Sequence, residues 1–233
     1  SILSICLMVA LFMKETKPQA SAAGESTLPQ RGLSGILSVF RDSFFVKFLV
    51  VFTLIKIPTS MLFSLLPVHA KENFAVAESS VGLIMLTNGL TIVLFQYLVS
   101  SKVKKFNIFS ILTAAGLFYT IGFASVAWGY RLEHFLISML VCTFGELLLA
   151  PTSSTLVANI APPDQRGRYM SAFNLSMGIG RGLGPLMGGV INDRVAPFMI
   201  WYTGSAIALV STLGYYLLRP AYEKIKESGR LHI

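Results

Sequence analysis

The sequence predicts an all-α membrane protein built as a six-helix transmembrane bundle. Three observations carry that expectation. Of the 233 residues, 54% are hydrophobic and only 13% charged, against roughly 25% charged in an ordinary soluble domain. The apolar residues gather into six runs, at approximately 44–70, 81–99, 108–128, 135–158, 170–191 and 198–218. Each run is long enough to cross a hydrocarbon core of about 30 Å as a helix rising about 1.5 Å per residue. The charges lie mostly between the runs. Lipid offers backbone groups no partners, so such runs must be helical.

In chain order, residues 2–13 are apolar but too short for a span of about 20 residues. They read as the end of a truncated transmembrane helix. Residues 14–43 form a linker, in which Pro18, Gly24 and Pro29 stand among alanines and serines, a composition that builds no core. Within it Leu33, Ile36, Leu37 and Phe40 recur at helical spacing, which predicts a short amphipathic helix on the membrane surface. The bundle, 44–218, follows. Its connections are short, so consecutive helices are antiparallel neighbours. Residues 219–233 are a charged tail.

Orientation follows from the basic residues. Of 19 lysines and arginines, 14 fall in 14–47, 100–107, 159–169 and 219–233, and three (Lys71, Arg131, Arg194) fall in the alternate loops. An excess of Lys and Arg marks the cytoplasmic side, so the linker, the Lys102-Val103-Lys104-Lys105 loop, the Arg166/Arg168 loop and the C-terminus are expected there. The net charge of +8 is thus spread over loops facing an acidic membrane surface. Nucleic acid is not the expected partner. Trp128, Tyr130, Trp201 and Tyr202 fall near the opposite ends, as residues of an aromatic belt do. Cys6 and Cys142 lie in apolar runs and read as packing residues.

Three charges remain inside the runs, near mid-span on three different helices: Lys56, Glu146 and Arg181. Charge at bilayer depth is costly and marks function. Thr53, Lys56, Ser60 and Ser64 form one polar stripe at helical spacing, which points to a cavity or a partner helix. Pro58 and Pro67 would bend that helix. A desolvated Glu146 suits proton exchange; a structural ion pair with Arg181 is the competing reading. Arg181 in turn is either that counter-ion, which is favoured, or a ligand for an anionic substrate group. It is expected to point toward the close-packing face marked by Gly180, Gly184, Pro185, Gly188 and Gly189, because small residues four apart let helices touch. Asn88, close to mid-span, is a candidate cavity residue. His69, His134 and His232 have no metal-ligand spacing, and neither a Walker loop nor paired acids appear. The sequence therefore predicts neither an enzyme nor a metal site.

Six spans, a basic linker before them and the motifs of 140–193 together resemble the C-terminal half of a major facilitator superfamily transporter. The resemblance covers essentially the whole chain. Its most specific part is Gly180-Arg181-Gly182-Leu183-Gly184-Pro185-Leu186-Met187-Gly188-Gly189, which looks like the GxxxGPxxGG pattern of proton-coupled drug antiporters. The Ala161-Pro162…Arg166-Gly167 loop fits the same group. The Gly145-Glu146…Pro151 element is similar to drug antiporters and to proton-coupled peptide symporters alike. On this match the chain is the second half of a twelve-helix fold, 2–13 is the end of helix six, and an N-terminal six-helix half is the missing partner. The resemblance implies proton-driven transport of a small molecule across the inner or plasma membrane without a cofactor. Efflux of amphipathic compounds is favoured over uptake of a peptide or other anionic metabolite, and a non-transporting scaffold is the remaining alternative. One departure stands out. Where the family often carries a DRxGRR-like latch, this chain has Ser100-Ser101-Lys102-Val103-Lys104-Lys105-Phe106, which keeps the basic residues and loses the acid and the glycine.

Overall fold

The computed structural model describes residues 38–74, 77–103 and 105–228. A short 3-10 turn, Ser38–Arg41, leads into six α-helices: α1 Ser43–Phe74, α2 Glu78–Val103, α3 Ile108–Ala127, α4 Leu132–Ile160, α5 Arg166–Arg194 and α6 Met199–Glu227. The expected end of a truncated helix at 2–13 lies outside the described residues, as do most of the expected linker and its amphipathic helix. The part of that helix that is described, Ser38–Arg41, is the 3-10 turn.

Each helix contains the core of one expected run, and the differences lie at the ends. Helix α1 continues to Phe74, past the expected end at 70, and Asn73 Nδ2 reaches back to the His69 carbonyl at 3.3 Å. Helix α6 continues through 219–227, where a tail was expected. There the Arg219 Nε donates to Glu223 Oε1 at 3.0 Å, the i,i+4 pairing that favours helix. Hydropathy marks where a helix leaves the membrane and not where it stops. By length and composition, α1 to α4 qualify as membrane spans and α5 and α6 do not. In α5 and α6 glycine, serine and threonine replace large apolar residues, and many of these small residues are used for helix contact.

Polar side chains cap the starts of α1 and α3. Asp42 Oδ1 accepts from the backbone N–H groups of Phe44 (3.0 Å) and Phe45 (3.1 Å), and Asn107 Oδ1 accepts from Phe109 N–H at 2.9 Å. These satisfy donors that have no partner within the helix.

Contacts between helix ends fix the antiparallel order. At one end the rings of Phe44, Phe109 and Tyr222 lie 5.1–6.2 Å apart, joining the starts of α1 and α3 to the end of α6. Tyr169 at the start of α5 donates to Asp42 Oδ2 at 3.2 Å, and Asn107 Nδ2 donates to Glu223 Oε1 at 3.2 Å. This is the end that carries the basic loops. At the other end His69 meets the Trp201 ring edge-on at 5.1 Å, and Trp128 Nε1 donates to the Tyr202 hydroxyl at 2.7 Å. Trp201 was expected in the aromatic belt, and the structure corrects this. It is 0% exposed and belongs to the core, between His69 and Phe123. Trp128, Tyr130 and Tyr202 are exposed.

Helix α1 is the centre of the bundle, in close contact with α5 and α6, while α3 packs on α4 and α6. Helix α2 packs chiefly on α4 and presents Leu86, Leu90, Val93, Leu94 and Tyr97 outward.

Candidate transport cavity

The packing of α1 on α5 explains where the mid-span polar groups go. A Cβ added at Gly180 would lie 2.9 Å from the Thr53 carbonyl oxygen and against the Lys56 Cβ. At Gly184 it would strike Ser60 Oγ and the Ile57 carbonyl, and at Gly188 the Leu65 side chain. These three glycines, one turn apart, seat α1 directly on α5. Gly189, expected on the same face, is not there: a Cβ at Gly189 would meet nothing within 4 Å, and the same holds at Gly182. One residue along a helix is a turn of about 100°, which carries Gly189 off the seam. Pro185 lies within α5, half-buried.

Thr53 and Ser60 face this seam. Thr53 Oγ1 and Ser176 Oγ lie 2.7 Å apart, and Ser60 Oγ donates to the Gly180 carbonyl at 3.2 Å. Ser176 was not among the expected residues. The signal for it was present, since 176, 180, 184 and 188 continue one four-residue spacing of small side chains. Thr53 stands in the seam itself, whereas Ser60 is shared between the seam and a polar cavity beside it.

That cavity, of about 360 Å³, is lined by Lys56, Thr59, Ser60, Phe63, Ser64, Glu146 and Arg181. Three helices, α1, α4 and α5, thus bring the three mid-span charges to one depth. Lys56 is 7% exposed, and its ammonium lies 5.4 Å from the Phe52 ring centroid, within cation–π range. Arg181 does not point into the close-packing face as the sequence suggested. It is exposed, one residue off the glycine seam, and turned to the cavity. Thr59 and Phe63 are further lining residues that the polar stripe did not include.

Glu146 is held from α2. Asn88 Nδ2 donates to Glu146 Oε2 at 3.0 Å and to Thr143 Oγ1 at 3.1 Å, and Thr143 in turn donates to the Met139 carbonyl at 2.7 Å. Asn88 is therefore a positioning residue behind the cavity wall. The favoured ion pair of Glu146 with Arg181 is absent. Among the described residues the carboxylate has no Lys or Arg partner within 4.0 Å. Glycine explains part of the geometry: Gly145 packs on the Tyr119 ring and the Ala115 carbonyl, which turns Glu146 toward the cavity. At the basic end Arg166 and Gly167 open α5, and both are exposed. No group of three or more potential metal ligands occurs among the described residues.

The sequence model of the Major Facilitator Superfamily matches residues 1–185 and 54–231. The Escherichia coli protein described as "Uncharacterized MFS-type transporter YdeE" is 30% identical over 143 residues, 61% of this chain and 35% of that protein. "Multidrug resistance protein MdtH" of Yersinia pestis is 25% identical over 188 residues, 78% of this chain and 46% of that protein. A crystal structure of a POT family transporter in complex with 5-aminolevulinic acid superposes with a TM-score of 0.68 at 15% identity, over 81% of this chain and 45% of that one. The matched region thus covers less than half the length of each of these three proteins. With six antiparallel helices, mid-span charges gathered round one cavity and family matches that reach from end to end, this chain belongs to the Major Facilitator Superfamily.

Proposed function

We propose that this multi-pass membrane protein is part of a proton-coupled secondary transporter that exports small amphipathic compounds by alternating access. A second six-helix half closes the cavity, and the two halves rock about it. The basic end faces the cytoplasm, in an inner or plasma membrane. No cofactor is needed, because the proton gradient supplies the energy.

One observation carries this reading. Glu146 borders a polar cavity of about 360 Å³, is oriented by an uncharged amide, and is not locked to either cation. A carboxylate held in this way can take and release a proton as the cavity changes sides, whereas one buried in an ion pair resists protonation. The similarity to a protein named for multidrug resistance supports efflux. The test is Glu146→Gln in the full-length protein reconstituted in vesicles. Transport driven by a pH gradient is expected to be lost, with insertion and thermal stability kept. Undiminished gradient-driven transport removes Glu146 from the mechanism.

A second reading, transport of a peptide or another anionic metabolite, rests on a different observation: two cations share the cavity with one acid. If it holds, Lys56→Ala or Arg181→Ala raises KM for anionic substrates by about tenfold, the scale of losing one charge-assisted contact, and leaves neutral substrates unaffected.

A further inference from the structure

The lysine-bearing turn between α2 and α3 adjoins a groove that the transport cavity does not use. The groove has a volume of about 250 Å³ and lies between the end of α2, the start of α3 and the second half of α4. Val103, Phe106 and Ile111 give it apolar walls, and Ser100, Thr152 and Asn159 give it polar points. Two features mark it as built for a ligand with both characters. Thr152 is only 5% exposed, yet its hydroxyl makes no hydrogen bond to protein among the described residues. That hydroxyl is not among the atoms sealed inside the protein but borders the groove, where a ligand oxygen can reach it. Phe106, by contrast, is apolar and 66% exposed.

Charge indicates the ligand. Lys102 and Lys105 are exposed and each stands next in sequence to a lining residue. The chain has no aspartate or glutamate between Glu78 and Glu133, and among the described residues neither lysine has a carboxylate within 4.0 Å. The acid nearest this turn that the contacts reveal, Glu223, is already engaged by Asn107 and Arg219. The latch-like sequence that lost its acid has therefore kept its lysines, and the two described, Lys102 and Lys105, have no carboxylate to hold at this end of the bundle.

We propose that this groove binds one acidic phospholipid, with its phosphate against Lys102 and Lys105 and an acyl chain along Val103, Phe106 and Ile111. Thr152 and Ser100 then meet the ester and glycerol oxygens. A free phosphate would leave the apolar wall uncovered, and a neutral lipid would leave the lysines unpaired. The site is independent of transport direction and of which end faces the cytoplasm, so its test does not depend on the function proposed above.

The test is lipid retention by the purified full-length protein, measured by native mass spectrometry after exchange into equal phosphatidylglycerol and phosphatidylcholine. Phosphatidylglycerol is expected to be retained preferentially. Lys102→Gln and Lys105→Gln should each lower that preference about fivefold, the scale for one basic residue at an anionic surface. Thr152→Leu, which fills the groove, should lower retention of both lipids. Should the Lys102 variant unfold, Lys105→Gln, outside the helices, carries the test alone. Equal retention of the two lipids by the unmodified protein overturns the proposal. So does an equal loss from Lys224→Gln/Lys226→Gln at the end of α6, which would mean diffuse surface charge. Displacement by millimolar inorganic phosphate also overturns it, in favour of a free-phosphate site.

Discussion

Glu146 owes its direction to a neutral side chain on another helix. Asn88 reaches from α2 to the carboxylate at 3.0 Å and divides its amide with Thr143. A hydrogen bond to a charged group is worth about 1.5–3 kcal/mol. Asn88→Leu should therefore slow gradient-driven transport by about tenfold, while Asn88→Gln, which keeps the amide, should lose less; equal loss would mean that volume and not the amide matters. The three mid-span charges were legible in the sequence because charge is rare at that depth. Their pairing was not. Whether Arg181 faces the seam or the cavity turns on about 100° of helix rotation, and the sequence offered two helix faces rich in small residues. Lys56, by contrast, shared a stripe with Ser60 and Ser64, and the cavity contains all three.

At the scale of the helix, α5 is organised by which of its glycines meet α1. Gly184 sits against Ser60 and the Ile57 carbonyl, whereas Gly182 and Gly189 border open space. Gly184→Ala should then lower the thermal stability of the detergent-solubilised protein by the equivalent of about 1–3 kcal/mol, the usual cost of overpacking. Gly189→Ala should leave it unchanged or raise it by up to about 1 kcal/mol, since alanine is the better helix former. Equal effects at the two sites would contradict the seam. The repeat of small residues predicted this contact. The extra glycine at 189 could not be excluded from the pattern, because the motif is a string and the seam is a stripe. A similar limit applies to Trp201. Its place near a helix end fits a belt, and only the neighbouring His69 and Phe123 rings show that it faces inward.

At the scale of the molecule, the basic residues and the helix contacts give one consistent division into two ends. Cysteine at position 105, in the α2–α3 turn, should react with a membrane-impermeant thiol reagent from the cytoplasmic side, and cysteine at position 130, in the α3–α4 turn, from the other side. The reverse pattern would invert the proposed orientation. Six antiparallel helices were legible because hydropathy counts crossings well. The lengths of α1 and α6 were not, because those helices go on past the apolar runs. The attachment of α2 has a mechanical meaning. Among the described residues its side-chain hydrogen bonds to other helices come from Asn88 alone, and most of its surface is uncovered by its own bundle. The carboxylate that Asn88 clasps is also the group that, in the proposed function, binds the proton. On the function proposed above, protonation of Glu146 would act directly on the hydrogen bond that joins α2 to α4, with no relay between them.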